Sequence, residues 1–514
     1  MPTMASLGEI REMRRAAAAP DEQTEVTLGA DTLLVLAAVA AASLGQGAYY
    51  RRVAELCGLL LVAAAVVLLG TRARSRQAWR STNWALGGVG LLAGCIGLAG
   101  ILDGHPAGAI PPVALLAGLA VIAAAVASLN APSRRQLADV IVGLGVFLAG
   151  TAWVGVAFHL QPLGHPDGGL WRAATTLTYA NAAAAFLAPL ALWALARNAV
   201  HGSKAGRLAL VMLVTGLGAT LSRAGLGSFA VGVVVLVVLL GFRAVWRGGG
   251  PALLGGLIAT GGLIPGMPAS GPTRPAWAVL GLAAGLALGA ARWPRSLDPS
   301  GVPRPRRRRR IRFAAIGVLA LASFGLALGL ASHSRLWSGR LSLSSPDRAS
   351  AASAALHLWR THLVSGVGPG RAIFIWTAAD HQVVYDRYAH DEYLQIAAED
   401  GVVGLVGLAL LGAGVAVTAR RGWRSSSRPL AGVEPDADLK ALRAGVMAGL
   451  VCFALHSGFD FLWHLPVLPM IAAVAVGLVA PTAGSGPMSQ TQMSQPQMSQ
   501  PNTQEVQCST RKAQ

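Results

Sequence analysis

From residue 31 onward, apolar runs follow one another along the chain, separated by short polar or basic breaks. Stretches such as "LVAAAVVLLG" (61–70) and "GVVVLVVLLG" (232–241) show no alternation of apolar and polar positions. Ten-residue alternation is what a membrane β-barrel requires, so the pattern predicts helices. About 20 helical residues cross a bilayer core. Spans are predicted near 31–47, 53–70, 84–102, 109–129, 137–158, 175–195, 208–222, 225–243, 252–267, 276–293, 312–332, 401–419, 444–461 and 465–481. The expected fold is an all-α polytopic membrane protein of about 12–14 helices, since helices satisfy every backbone polar group within one segment.

Composition supports this. Of 514 residues, 54% are hydrophobic and 13% charged, with a mean hydropathy of +0.53. That excludes an ordinary soluble enzyme of this length. The net charge of +19 sits in the breaks between spans, which speaks against nucleic acid as a partner. "TRARSRQAWR" (71–80), Arg134 with Arg135, "RNAVHGSKAGR" (197–207), "RAVWR" (243–247), "RPRRRRRIR" (304–312) and "ARRGWR" (419–424) all fall on one side of the predicted bundle. That side is expected to be cytoplasmic. Arg51 and Arg52 break the pattern. Membrane lipids and an anionic lipid-linked substrate are the natural partners of such a chain.

The chain divides into an N-terminal cytoplasmic tail (1–30), spans over 31–332, one large extracytoplasmic loop (333–400), C-terminal spans (401–481) and a tail (482–514). The tail repeats "MSQ" and is expected to be disordered. The first 30 residues lack the short apolar core of a cleavable signal peptide. Cys57, Cys95 and Cys452 lie in apolar runs and read as small core residues; Cys508 is in the tail.

Within the loop, "SSPDRASAASAALHLWRTHL" predicts a helix, with Ser345 as N-cap, Pro346 in its first turn and Asp347 on its positive end. Ala352, Leu356, Trp359 and Leu363 form its expected apolar stripe, suited to a membrane surface or a bundle cap. "GVGPG" (366–370) follows as a turn.

Ionisable groups gather on the side opposite the arginines. Arg223 stands between two apolar segments in "TLSRAGLGSF". It reads either as a helix-end arginine reaching the interface or as a functional cation. Arg348 opens the loop helix, and a guanidinium suits phosphate oxygens; the plain alternative is a solvated or carboxylate-paired arginine. His390 sits where the loop re-enters the membrane, in "AHDEYLQIAAEDGVVG" (389–404), and has the chemistry of a general base. Its plain alternative is an interface residue or helix cap. Asp391, Gln395 and Glu399 share one helical face, which must look into protein or water. "HSGFDFLWHLP" (456–466) brings His456, Asp460 and His464 close in sequence. The two histidines lie eight apart with a turn between them, so capping and interhelical hydrogen bonds explain them better than a metal.

In this order, these residues resemble the O-antigen ligase and polymerase family of bacterial envelope proteins. The matches are Ser222-Arg223-Ala224, Arg348, "GVGPG", His390 to Leu394 followed by Glu399, Gly401 and Gly404, the closing "HSGFDFLWHLP", and Asn181 in "LTYANAAAAFLA". Ala224 stands where the family has glycine, and Asp391 where it has asparagine. The resemblance spans roughly 175–480. It implies a GT-C-like multi-helix enzyme in the bacterial cytoplasmic membrane, acting on the outer face in cell-surface polysaccharide synthesis. The implied donor is an undecaprenyl-diphosphate-linked glycan and the acceptor a hydroxyl on a glycan, lipid or protein. His390 would serve as base, with Arg348 and Arg223 on the diphosphate. Ser222, Asp391, Glu399 and Asn181 would have positioning roles, with no cofactor and no metal. Ligase and polymerase share these features. A transporter or flippase is the rival from another class, although no repeat relates the two halves. A non-catalytic scaffold would tolerate loss of Arg348 and His390.

Overall fold

The computed structural model describes residues 28–291, 346–377, 382–427 and 436–482. The expected helix at 312–332, the Ser345 cap, the polyarginine segment and the tail beyond 482 lie outside the described residues. Among the described residues the helices are α1 (Ala30–Leu44), α2 (Arg51–Gly70), α3 (Arg72–Leu102), α4 (Ile110–Ala127), α5 (Ala131–Ala157), α6 (Ala180–Val200), α7 (Lys204–Ala219), α8 (Arg223–Leu240), α9 (Phe242–Leu263), α10 (Pro275–Ala290), α11 (Pro346–Thr361), α12 (Glu392–Ser427), α13 (Ala437–Ser457) and α14 (Val467–Val479). Among the described residues, eight helical segments are long and apolar enough to cross a bilayer. The chain is a polytopic, all-α membrane protein with little sheet.

Local chemistry starts these helices where the sequence supplies caps. The Asn130 side chain accepts from Ser133 N to open α5, Ser222 from Gly225 N to open α8, and Asp436 from Leu439 N to open α13. Leu59, Val62 and Val66 of α2, and Val234 and Val238 of α8, point outward. That exposure is costly in water and natural against lipid. At the centre lies α6, buried over nearly its whole length, with Trp193 and Phe186 fully enclosed. Helices α3 and α12 run close together: a Cβ added to Gly414 would lie 2.2 Å from the Trp84 carbonyl oxygen.

The arginine-rich end is tied together by its guanidinium groups. Arg134 is fully buried and donates to the carbonyls of Ala127, Leu129, Leu478, Ala480 and Pro481. Arg443 donates to the Gly422 and Ala480 carbonyls at 2.8 and 2.9 Å. These carbonyls lie at or near the ends of α4, α12 and α14, where four C=O groups per helix lack intrahelical partners.

At the other end two antiparallel hairpins add a little sheet. Strands β1 (Gly164–Asp167) and β2 (Leu170–Ala173) form between the spans expected at 137–158 and 175–195. Strands β3 (Phe374–Thr377) and β4 (Val383–Asp386) form the second hairpin, inside the large loop. The loop helix α11 also differs from expectation. Its buried positions are Ala351 and Ala355, with Leu358 packed beside them against Phe374 and Ala398. Leu363, expected on the apolar stripe, lies beyond the helix end and is exposed. The small alanines win because they allow closer packing against the hairpin and α12.

The loop joins the membrane helix through backbone. Gly401 interrupts α12 with φ +62°, a conformation disfavoured for residues with a Cβ. The freed groups pair with the loop: Val402 and Val403 N–H donate to the Leu363 and Val364 carbonyls at 2.9 and 3.2 Å. In return, Val367 and Gly368 N–H donate to the Ala398 and Glu399 carbonyls, each at 2.9 Å. Gly366 has φ +68°, and a Cβ there would lie 2.2 Å from the Glu399 carbonyl carbon. The glycines of "GVGPG" and "EDGVVG" therefore serve one joint.

Candidate functional site

The turn after α13 carries Asp460, which is fully buried yet ionisable. Such a carboxylate must be matched by donors. Tyr179 Oη donates to its Oδ2 at 2.7 Å, and Asn181 Nδ2 donates to the same oxygen. Both donors stand at the start of α6, and Asn181 also donates to Tyr179 Oη at 3.1 Å. Behind them Arg172 of β2 donates to Asn181 Oδ1 at 3.1 Å and to the Thr220 carbonyl at 2.8 Å, and pairs with Asp167. The hairpin at 164–173 thus buttresses Asn181.

Two sequence candidates meet on Asp460. Arg348 Nη2 lies 3.4 Å from Oδ2, with its side chain 35% exposed. His390 Nδ1 lies 3.3 Å from Oδ1. On the other side of the ring, His390 Nε2 lies 3.4 Å from Asp386 Oδ2, at the end of β4. A protonated imidazole, donating from both nitrogens, satisfies this arrangement. Burial works against charge on the ring, but Asp460 and then Asp386 outweigh it and hold the pKa of His390 above its ordinary 6.5. Burial likewise opposes charge on Asp460, yet its pKa falls below the ordinary value because His390, Arg348 and Tyr179 all favour the carboxylate. Burial and the adjacent Asp460 raise the Tyr179 hydroxyl well above 10, so it stays a donor.

The histidine backbone is held in a left-handed conformation with φ +52°, which requires its surroundings to over-determine it. They do so through the polar stripe. Gln395 Oε1 accepts from Ala389 N at 2.8 Å, and its Nε2 donates to the Arg387 carbonyl at 3.1 Å and to Glu399 Oε1 at 2.7 Å. The other Glu399 oxygen accepts from Gly370 N at 2.9 Å. Asp391 caps α12, its Oδ1 accepting from Tyr393 N and Leu394 N at 2.9 and 3.1 Å. Its carboxylate is spent on the helix terminus, whereas Asp460 and Asp386 provide the charges at the imidazole.

An aromatic stack walls the site. Phe461 lies between Tyr179 and Tyr388, with ring centroids 5.2 and 4.4 Å away, and meets His390 edge-on at 5.2 Å. Of the histidines in "HSGFDFLWHLP", His464 pairs with Glu392 at 3.4 Å, and His456 is buried in α13.

Arg223 and Ser222 stand apart from this hydrogen-bonded cluster. Ser222 caps α8, and Arg223 is exposed in its first turn, with no partner among the described residues. Both belong to the same end of the bundle, since Arg172 reaches the carbonyl of Thr220 just before them. Sequence reasoning passed over Asp386, Arg172 and Tyr179 and gave Asp460 only a bland role. Tyr179 and Asp460 do stand inside the two segments that carried the resemblance; Asp386 and Arg172 have no local signal.

A helical membrane bundle with a polar loop domain packed on one end is the class that fold and site define. Residues 271–409 match the family model described as O-antigen ligase, so this part of the chain is similar to O-antigen ligases. The matched region contains Arg348 and His390 and excludes Asn181, Ser222, Arg223 and Asp460. No curated protein matches the chain.

Proposed function

We propose that the chain transfers a glycan from an undecaprenyl-diphosphate-linked donor to an acceptor hydroxyl on the outer face of the bacterial cytoplasmic membrane. The carrying observation is His390, held between two carboxylates, with Arg348 on the same buried Asp460. Asp460 orients the imidazole from Nδ1, which leaves Nε2 as the proton-accepting nitrogen. The acceptor hydroxyl attacks the anomeric carbon as Nε2 takes its proton. The bond to the diphosphate breaks with inversion, and Arg348 and the exposed Arg223 receive the developing negative charge. Neither step needs a metal. The outward orientation is supported by the arginines at the opposite ends of α6, α12 and α13. The 21 residues of α6 alone rise about 30 Å, one bilayer core.

Two substitutions test this in purified, reconstituted protein. His390→Ala and Arg348→Ala should each lower transfer by about 10²–10⁴-fold with thermal unfolding little changed. Near-normal turnover in either removes that residue from the mechanism. Since only neutral His390 accepts a proton, turnover should rise with pH through a value above 6.5. A pH-rate profile already flat below that value contradicts the base assignment. Separate assays with a second lipid-linked repeat and with a foreign acceptor distinguish polymerase from ligase.

A further inference from the structure

We infer that Asp386 is the positioning residue through which His390 passes on the proton it takes from the acceptor; this rests on His390 being the base. The two carboxylates at the imidazole differ in kind. Asp460 is 1% exposed and already receives Tyr179, Asn181 and Arg348, so it has no route to water. The Asp386 side chain is 31% exposed and faces the opposite nitrogen. Its other oxygen, Oδ1, accepts from Tyr388 N at 3.0 Å, which fixes the carboxylate with Oδ2 toward Nε2. Asp386 stands at the end of β4 and pairs in register with the buried Phe374, so the hairpin sets its position.

The charged groups facing the ring are Asp460 from the turn after α13, Arg348 from α11 and Asp386 from β4. At 3.4 Å the Nε2–Oδ2 contact is looser than a charge-assisted hydrogen bond of about 2.8 Å. An acceptor hydroxyl entering beside Nε2 therefore displaces a weak contact. During transfer the hydroxyl oxygen bonds the anomeric carbon and its proton moves to Nε2. The carbon–oxygen bond to the diphosphate breaks, and its electron pair leaves with the diphosphate. The Nε2 proton then passes to Asp386 Oδ2 and to water, restoring the neutral base and the carboxylate.

The test uses the full-length protein in nanodiscs, with turnover followed against pH and His390 titrated by NMR of ring-labelled histidine, assigned with His390→Ala. In Asp386→Asn the His390 titration and the acid limb of the kcat profile should both move to lower pH. The kcat plateau should fall roughly ten-fold with KM little changed, and Asp386→Glu should recover most of it. A role through the charge of Asp386 alone would shift the pH readouts and leave the kcat plateau unchanged. A normal profile and plateau in Asp386→Asn, beside an inactive His390→Ala, overturns this proposal alone. An active His390→Ala overturns the base assignment and the proposal with it.

Discussion

The two ends of the bundle use the same residue types for opposite purposes. At the arginine-rich end, Arg134 and Arg443 are buried and donate from their guanidinium nitrogens to carbonyls at or near helix ends. Arg135 and Arg197 there share Asp438. Charge at that end closes the structure. At the other end Arg348 is partly exposed, Arg223 is exposed, and His390 lies between carboxylates in a strained backbone. Charge there is gathered and left reachable. An arginine in a membrane protein is therefore assigned by what its donors already hold.

Four substitutions press on that contrast. The largest effect is expected at the reachable end, where Asp460→Ala removes the partner of His390, Arg348, Tyr179 and Asn181 together. Transfer should fall by at least about 10²-fold, read in the reconstituted assay; unchanged activity would leave the cluster a packing feature. Next comes the joint that carries the loop. Gly401→Ala places a Cβ 2.3 Å from the Val364 carbonyl oxygen at positive φ, so the loop should loosen at a cost well above about 1 kcal/mol. Faster limited proteolysis between α11 and His390 is the measurement, and wild-type protection would contradict the joint.

At the closed end, Arg443→Met removes donors to two carbonyls and Ser425. Stability should fall by about 2–4 kcal/mol, while the pH-rate profile of the folded fraction stays as in wild type. A shifted profile would mean that the two ends are not separable. The smallest effect is expected from Asp391→Ala, which removes the α12 cap for about 1 kcal/mol. It should show as faster hydrogen exchange at Tyr393 and Leu394. An effect on turnover as large as that of His390→Ala would restore Asp391 to the chemistry.

The pH behaviour joins function to stability. Because the folded pKa of His390 is raised, the stabilisation from its carboxylates is complete below the unfolded value and is lost as pH rises through the folded one. On the proposed mechanism, His390 becomes available as base over the same interval in which it loosens its hold on Asp460 and Asp386.

Much of this was legible in sequence, for identifiable reasons. Uninterrupted apolar runs placed nearly every described span, because crossing a bilayer demands both length and composition. Arg348 and His390 stood out because polar groups are rare in such a chain. Asp391, adjacent in sequence to the histidine, caps α12 with its side chain. Asp386 is only four residues upstream, yet it meets the ring because β4 folds back over it. Asp460 is 70 residues away and needed the α13–α14 turn to bring it in.

The sequence by itself determined an all-α membrane bundle, the gathering of the described basic breaks at one end, and the residue types capable of the chemistry. Those follow from hydropathy, helix length and side-chain pKa, all local properties. Tertiary structure alone decided which carboxylates hold His390, that Asp460 is their buried hub, and that the Gly366–Gly401 contact fixes the loop. Each depends on distant segments approaching to within hydrogen-bond distance, which spacing along one chain does not encode.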